Sequence, residues 1–127
     1  MTNPYLLVFI GGGIGSVLRF AVYHAARLWL PPELPWGTLA VNVVGGVAAG
    51  AVAGWLLSRP LGGADTLSLF LMTGMLGGFT TFSAFSLDAV LLWQRGEQAA
   101  AIVYVIVSVL LAIGGVIAGM SAFRSFI

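Results

Sequence analysis

No cysteine occurs in the 127 residues, which excludes disulfides, thiolate nucleophiles and cysteine-held metals. Lysine is absent too. All five basic side chains are arginines (Arg19, Arg27, Arg59, Arg95 and Arg124), and the formal net charge is only +1. There is therefore no basic field to hold nucleic acid. His24 is the single histidine, which excludes a histidine-built metal cluster. Charge itself is scarce: 7% of residues are charged, against roughly 25% in an ordinary soluble domain. Five cations and four anions cannot cover a water-soluble globule of this size. Little charge combined with high hydrophobicity also excludes a disordered chain.

What is present is apolar. Hydrophobic residues make up 60% of the chain and the mean hydropathy is +1.07, which leaves the integral membrane proteins as the class. A helix needs about 20 mostly apolar residues to cross roughly 30 Å of hydrocarbon. Four such stretches are expected, at about 5–30, 36–57, 66–93 and 98–123, forming a single transmembrane domain over 1–127. Strong turn signals separate them: Pro31-Pro32-Glu33-Leu34-Pro35, Ser58-Arg59-Pro60-Leu61-Gly62-Gly63 and Gln94-Arg95-Gly96-Glu97. The first stretch lacks a basic leader, is too long for a signal-peptide core and shows no convincing cleavage site, so it reads as a retained helix. Almost nothing lies outside the four stretches, so any activity is expected within the bilayer.

Loop arginines normally collect on the cytoplasmic side. Here Arg59 and Arg124 fall on one side, Arg27 and Arg95 on the other, and Arg19 lies inside the first helix. A short chain with few charges can tie by chance. The sharper reading is a chain that inserts in both senses and pairs with an opposite copy as an antiparallel homodimer. Glycines at four-residue spacing (Gly46, Gly50 and Gly54 on the second helix, with Gly11 and Gly15 on the first and Gly115 and Gly119 on the fourth) read as close helix packing.

Polar groups inside a membrane are costly and point to function. They are few: Arg19, Asn42, Tyr104 and Ser108 at i, i+4 spacing, and a cluster on the third stretch that ends with Asp88. Gly77 and Gly78, followed by Thr80 and Thr81, disfavour a continuous third helix, since glycine costs about 1 kcal/mol against alanine and threonine hydroxyls compete for carbonyls. Two half-helices with a break between them are expected. Freed carbonyls at such a break can bind a cation, with Gly77 and Thr80 the natural contributors; a plain glycine kink without a ligand is the alternative. Phe82 and Phe85 sit one turn apart on one face. Ordinary packing explains the spacing. So does an anion path, because the edge of an aromatic ring is positive, with Asn42 adding an amide donor and Thr81, Ser83 and Tyr104 adding hydroxyls. An enzyme is disfavoured: Glu33, Asp65 and Glu97 fall in or beside loops, leaving Asp88 without a partner for acid–base work. Residues 11–15, GGGIG, have neither the preceding strand nor the lysine of a phosphate-binding loop.

Three strings carry a resemblance over essentially the whole chain: GGGIGSVLRF at 11–20, GTLAVNVVG at 37–45 and GMLGGFTTFSAFS at 74–86. With them the sequence resembles the Fluc (CrcB-type) family of bacterial fluoride channels. The resemblance implies a passive, fluoride-selective channel in the bacterial inner membrane that lets accumulated fluoride out. It also implies a dual-topology homodimer with two pores and a structural, untransported sodium ion held by the backbone carbonyls of Gly77 and Thr80. Phe82, Phe85 and Asn42 take the pore positions, and Tyr104, Ser83 and Thr81 the polar lining. Ala84 and Asp88 stand where the family motif often carries Thr and Glu, and Ala112 interrupts a hydroxyl stripe on the fourth helix. Arg19 matches a family position and reads as a structural or vestibule charge. A proton-coupled small multidrug-type exporter, also a four-helix chain able to insert both ways, is the alternative. It needs a carboxylate deep in the first helix, where this chain has Arg19.

Overall fold

The computed structural model describes residues 3–59 and 64–124; the turn signal at 60–63 lies outside them. Among the described residues the chain is all-helical. The elements are α1 (Pro4–Trp29), α2 (Trp36–Leu57), α3 (Ala64–Ser68), a π-helical segment (Leu69–Leu76), α4 (Gly77–Phe79), α5 (Phe82–Gln94) and α6 (Gln98–Arg124). They make four spans long and apolar enough to cross a membrane: Pro4–Trp29, Trp36–Leu57, Thr66–Gln94 and Gln98–Phe123.

The ends follow local chemistry. Asn3 Oδ1 accepts the backbone N–H of Tyr5 at 2.9 Å, and Pro4 opens α1 where a missing N–H costs nothing. The helix stops at Leu30, whose backbone is extended (φ −120°, ψ 152°), as the residue before a proline favours. Between α5 and α6, Gly96 adopts φ +84°. The Gly96 N–H donates to Trp93 O at 3.0 Å and the Glu97 N–H to Leu92 O at 3.1 Å, which is the Schellman ending that glycine permits.

Two glycine seams hold the spans together. On α2, a Cβ added at Gly46 would stand 2.7 Å from the Ala112 carbonyl oxygen of α6, and one at Gly50 would strike that of Val116. Reciprocally, Gly119 of α6 lies against the Val47 carbonyl. The second seam joins α1 to the third span. Gly11 faces Gly74 and the Phe70 carbonyl, Gly15 faces the Met75 carbonyl, and Gly78 faces that of Gly12. Small residues that let backbones meet are how helices associate where lipid competes equally for apolar contacts. Phe85, Leu92, Ala101 and Tyr104 form a side-chain core between α5 and α6. Large apolar side chains such as Phe9, Val17, Leu110 and Ile117 point outward, which suits a lipid-facing surface and not a wet one.

The π-helical winding of Leu69–Leu76 has no mark in the sequence, where this stretch reads as ordinary helix. Its wider turns alter the register, and in the register adopted both Gly74 and Gly78 face α1.

Candidate functional site

Helix α4 ends at Phe79. Thr80 (φ −84°, ψ 160°) and Thr81 (φ −156°, ψ 117°) are extended, and α5 restarts at Phe82. Buried backbone groups need partners, and here most come from side chains. Asn42 of α2 faces Thr81 with both ends of its amide: Nδ2 donates to Thr81 O at 2.9 Å, and Thr81 N–H donates to Asn42 Oδ1 at 2.8 Å. Thr81 Oγ1 caps α5 by accepting the Ala84 N–H at 3.1 Å. Thr80 N–H and Thr80 Oγ1 both donate to Leu76 O at 2.9 Å.

This arrangement redirects two donors. In an unbroken helix the Thr81 N–H would serve Gly77 O and the Ala84 N–H would serve Thr80 O, following the i to i−4 rule. Both go elsewhere, to Asn42 and to the Thr81 hydroxyl. The carbonyls of Gly77 and Thr80 thereby lose their helical donors. The Thr80 oxygen receives Arg19 Nη1, reaching across from α1 at 3.4 Å.

Beside these residues lies a groove of about 450 Å³ whose lining includes Asn42, Gly77, Thr80, Thr81, Phe82, Phe85 and Ser108, with apolar residues of α2 and α6 completing it. Phe82 is 78% exposed and Phe85 only 9%. Their ring centroids are 5.5 Å apart, tilted by 46°, and Phe85 meets Tyr104 at 5.5 Å and 41°. Three rings therefore run in succession from the open groove into the α5–α6 core. Tyr104 OH donates to Asp88 Oδ2 at 3.3 Å. Asp88 in turn lines a second cavity of about 480 Å³, with Tyr23, Arg27, Trp36 and Thr38 among its walls. There Thr38 Oγ1 donates to Tyr23 OH at 3.1 Å.

Of the residues singled out in the sequence, Asn42, Thr81, Phe82 and Phe85 share the groove with Gly77 and Thr80. Ser83 and Tyr104 stand outside its lining. Ser83 is exposed, with its hydroxyl 3.4 Å from that of Thr81, and Tyr104 stacks behind Phe85. The Asn42 amide is largely committed to backbone, and an –NH₂ with two donors keeps one free. Ala112 adds only an apolar wall. Ser108, 5% exposed, brings to the groove a buried hydroxyl that has no partner among the described residues, and the same holds for Trp36 Nε1. The i, i+4 pairing of Ser108 with Tyr104 was the available sequence signal for it. The Tyr23–Thr38 contact had none, because it depends on how α1 meets α2. Among the described residues no three His, Cys, Asp or Glu side chains gather to hold a metal.

Comparison with known proteins accounts for the same chain. Residues 6–120 match the family model described as CrcB-like protein, Camphor Resistance (CrcB). A protein of Rhizobium etli named fluoride-specific ion channel FluC is 50% identical over 122 residues, covering 96% of this chain and 97% of the relative. A Nitrobacter hamburgensis protein named fluoride-specific ion channel FluC 2 is 48% identical over 120 residues, covering 94% and 96%. A Paracoccus denitrificans protein named fluoride-specific ion channel FluC is 48% identical over 124 residues, covering 98% and 97%. With its matched strings, four spans and near-complete coverage, the chain belongs to the CrcB family.

Proposed function

We propose that this chain is a fluoride-specific ion channel, not an enzyme, which lets fluoride leave the cell down its electrochemical gradient. The observation that carries the reading is identity near one half, over nearly the full length, to relatives that bear that name. The geometry supplies a mechanism. Fluoride is small and tightly hydrated, so a path for it must replace water with many weak, well-placed contacts. It must also hold the ion loosely enough to release it. Ring edges are positive, and Phe82 and Phe85 stand in sequence along the groove beside a free N–H of Asn42 and the hydroxyl of Thr81. Ser83, whose hydroxyl lies 3.4 Å from that of Thr81, and Tyr104, stacked behind Phe85, stand next to these contacts without lining the groove. Among the described residues none of the side chains lining the groove is cationic, which leaves an anion loosely held.

Two copies inserted in opposite senses close the groove between them as a homodimer in the bacterial inner membrane, surrounded by lipid. The even split of loop arginines and the 78% exposure of Phe82 on the single chain support this. The interrupted third spans meet at the two-fold axis. There the carbonyls of Gly77 and Thr80, both without their helical donors, supply oxygens of the kind a sodium ion takes, and the ion is structural and not transported. Backbone carbonyls are hard, neutral donors suited to such a cation.

Purified protein in sealed vesicles loaded with potassium fluoride tests the function. Opening a potassium path should release fluoride, read by a fluoride electrode, while chloride-loaded vesicles stay silent. Equal chloride release, or fluoride release that follows an imposed proton gradient, would overturn the reading in favour of a nonselective pore or a coupled exporter. Reporters fused to the C-terminus should light up on both faces of the membrane; a signal from one face alone removes the antiparallel pairing.

A further inference from the structure

Arg19 is a cation in the middle of an apolar span, where an unpaired charge is expensive. Its described hydrogen bond goes to a single atom, Thr80 O, at 3.4 Å. That oxygen is the carbonyl left without its helical donor when the Thr81 hydroxyl takes the Ala84 N–H. The guanidinium therefore sits on an oxygen that, on the reading above, belongs to the shared cation.

We propose that Arg19 and the assembly cation compete for the Thr80 carbonyl, so that Arg19 sets how much sodium the dimer needs. The inference rests on the carbonyl-held cation of the proposed function and goes beyond it. In a lone copy, Arg19 satisfies the freed oxygen with a charge-assisted hydrogen bond and holds the turn at Thr80 in place. When two copies meet, a carbonyl with two lone pairs can still face an ion. Two positive centres on one oxygen repel, however, and a two-fold axis presents the conflict twice. The ion binds only as the guanidinium is drawn off or turned aside. Arg19 is thus a positioning residue, stabilising the separate chain and opposing premature capture of the cation.

A purely structural role and this competitive one differ in sign. If Arg19 only braced the turn, Arg19→Gln would loosen the break and the dimer would demand more sodium. Under competition it demands less. The experiment is a sodium titration of the monomer–dimer equilibrium in detergent micelles, read by energy transfer between labelled copies, with N-methylglucamine as the replacing cation. Arg19→Gln should lower the half-maximal sodium concentration by about tenfold or more, since removing a unit charge within a few Å of the ion removes a direct repulsion. Arg19→Lys, which keeps the charge, should stay within about threefold of the unsubstituted protein. A Gln variant with an unchanged or higher sodium requirement overturns the proposal. Should that variant fail to fold, the unsubstituted protein labelled with [15N]arginine decides. Sodium must shift the one guanidinium signal that is missing from the Arg19→Lys spectrum, and an unmoved signal overturns the proposal equally. A wild-type dimer indifferent to sodium removes the cation reading and this inference together, while the fluoride efflux result stands apart.

Discussion

The seam between α2 and α6 and the turn at Thr80–Thr81 solve opposite problems with opposite materials. Along the seam, glycines strip away side chains until one helix rests on the carbonyls of the other, and among the described residues no backbone hydrogen bond passes between the two. At the turn the helix is given up, and side chains from two other spans, Asn42 and Arg19, stand in for the missing backbone donors and acceptors. Rigidity in the first region comes from the absence of chemistry. Polarity in the second survives at membrane depth because it is answered group by group. The chain places its potential path where these two regimes meet, with the groove bordered by Gly45 and Gly46 on one wall and by Thr80 and Thr81 on another.

Five variants probe that contrast. The largest effect belongs to Gly50→Leu. Its new side chain would run into the Val116 backbone, which cannot move aside without shifting α6 as a whole. Overpacking ordinarily costs about 1–3 kcal/mol, and this case should exceed about 3 kcal/mol because the obstacle is main chain. Loss of the monodisperse peak on size exclusion is the expected result.

Next comes Asn42→Ala, which strips both Thr81 backbone groups of their partners. Each orphaned group costs about 1–3 kcal/mol, so a loss of at least about 2 kcal/mol is expected, visible as a lowered unfolding midpoint. Asn42→Asp keeps an acceptor for the Thr81 N–H but turns a second acceptor against Thr81 O, and a carboxylate at membrane depth is costly, so it should not rescue the loss.

The paired change Phe82→Ile and Phe85→Ile should leave the fold assembled yet cut fluoride efflux about 100-fold, equivalent to about 2.7 kcal/mol of barrier. Unaltered efflux with intact dimers would reject ring edges as ion contacts. Gly96→Ala is the mildest. It forces a side chain into the left-handed region at φ +84° at a cost of roughly 1 kcal/mol, far from the groove, and the fluoride electrode trace should not change.

The sequence made the spans plain because four apolar runs are each bounded by proline, glycine or charge, and the α5–α6 turn because Gly96 sits where a helix-ending glycine belongs. Which spans pair was not readable. Gly46, Gly50 and Gly54 advertise a close approach without naming the partner, and α6 is identified only once Ala112 and Val116 are found against them. The site was legible as a set of residue types and illegible as a set of bonds. Asn42 stood out as a buried amide, yet its commitment to Thr81, 39 positions away, depends on how α2 packs beside the third span. The same holds for Arg19 and Thr80, 61 positions apart. Neither pairing leaves a periodic trace in the chain. The π-helical winding of Leu69–Leu76, in which Gly74 faces α1, likewise leaves no periodic trace in the chain.

The order of the seams has a consequence for biosynthesis. α1 packs chiefly on the third span and α2 chiefly on α6, while α1 and α2 touch each other less. As the ribosome delivers the chain, the first two helices enter the bilayer before either has its mate. Each must wait there, glycine face bare, until the span two places later is made. The molecule is therefore interlaced, and an arrested nascent chain carrying only the first two helices should remain open to quality-control proteases that the finished protein resists.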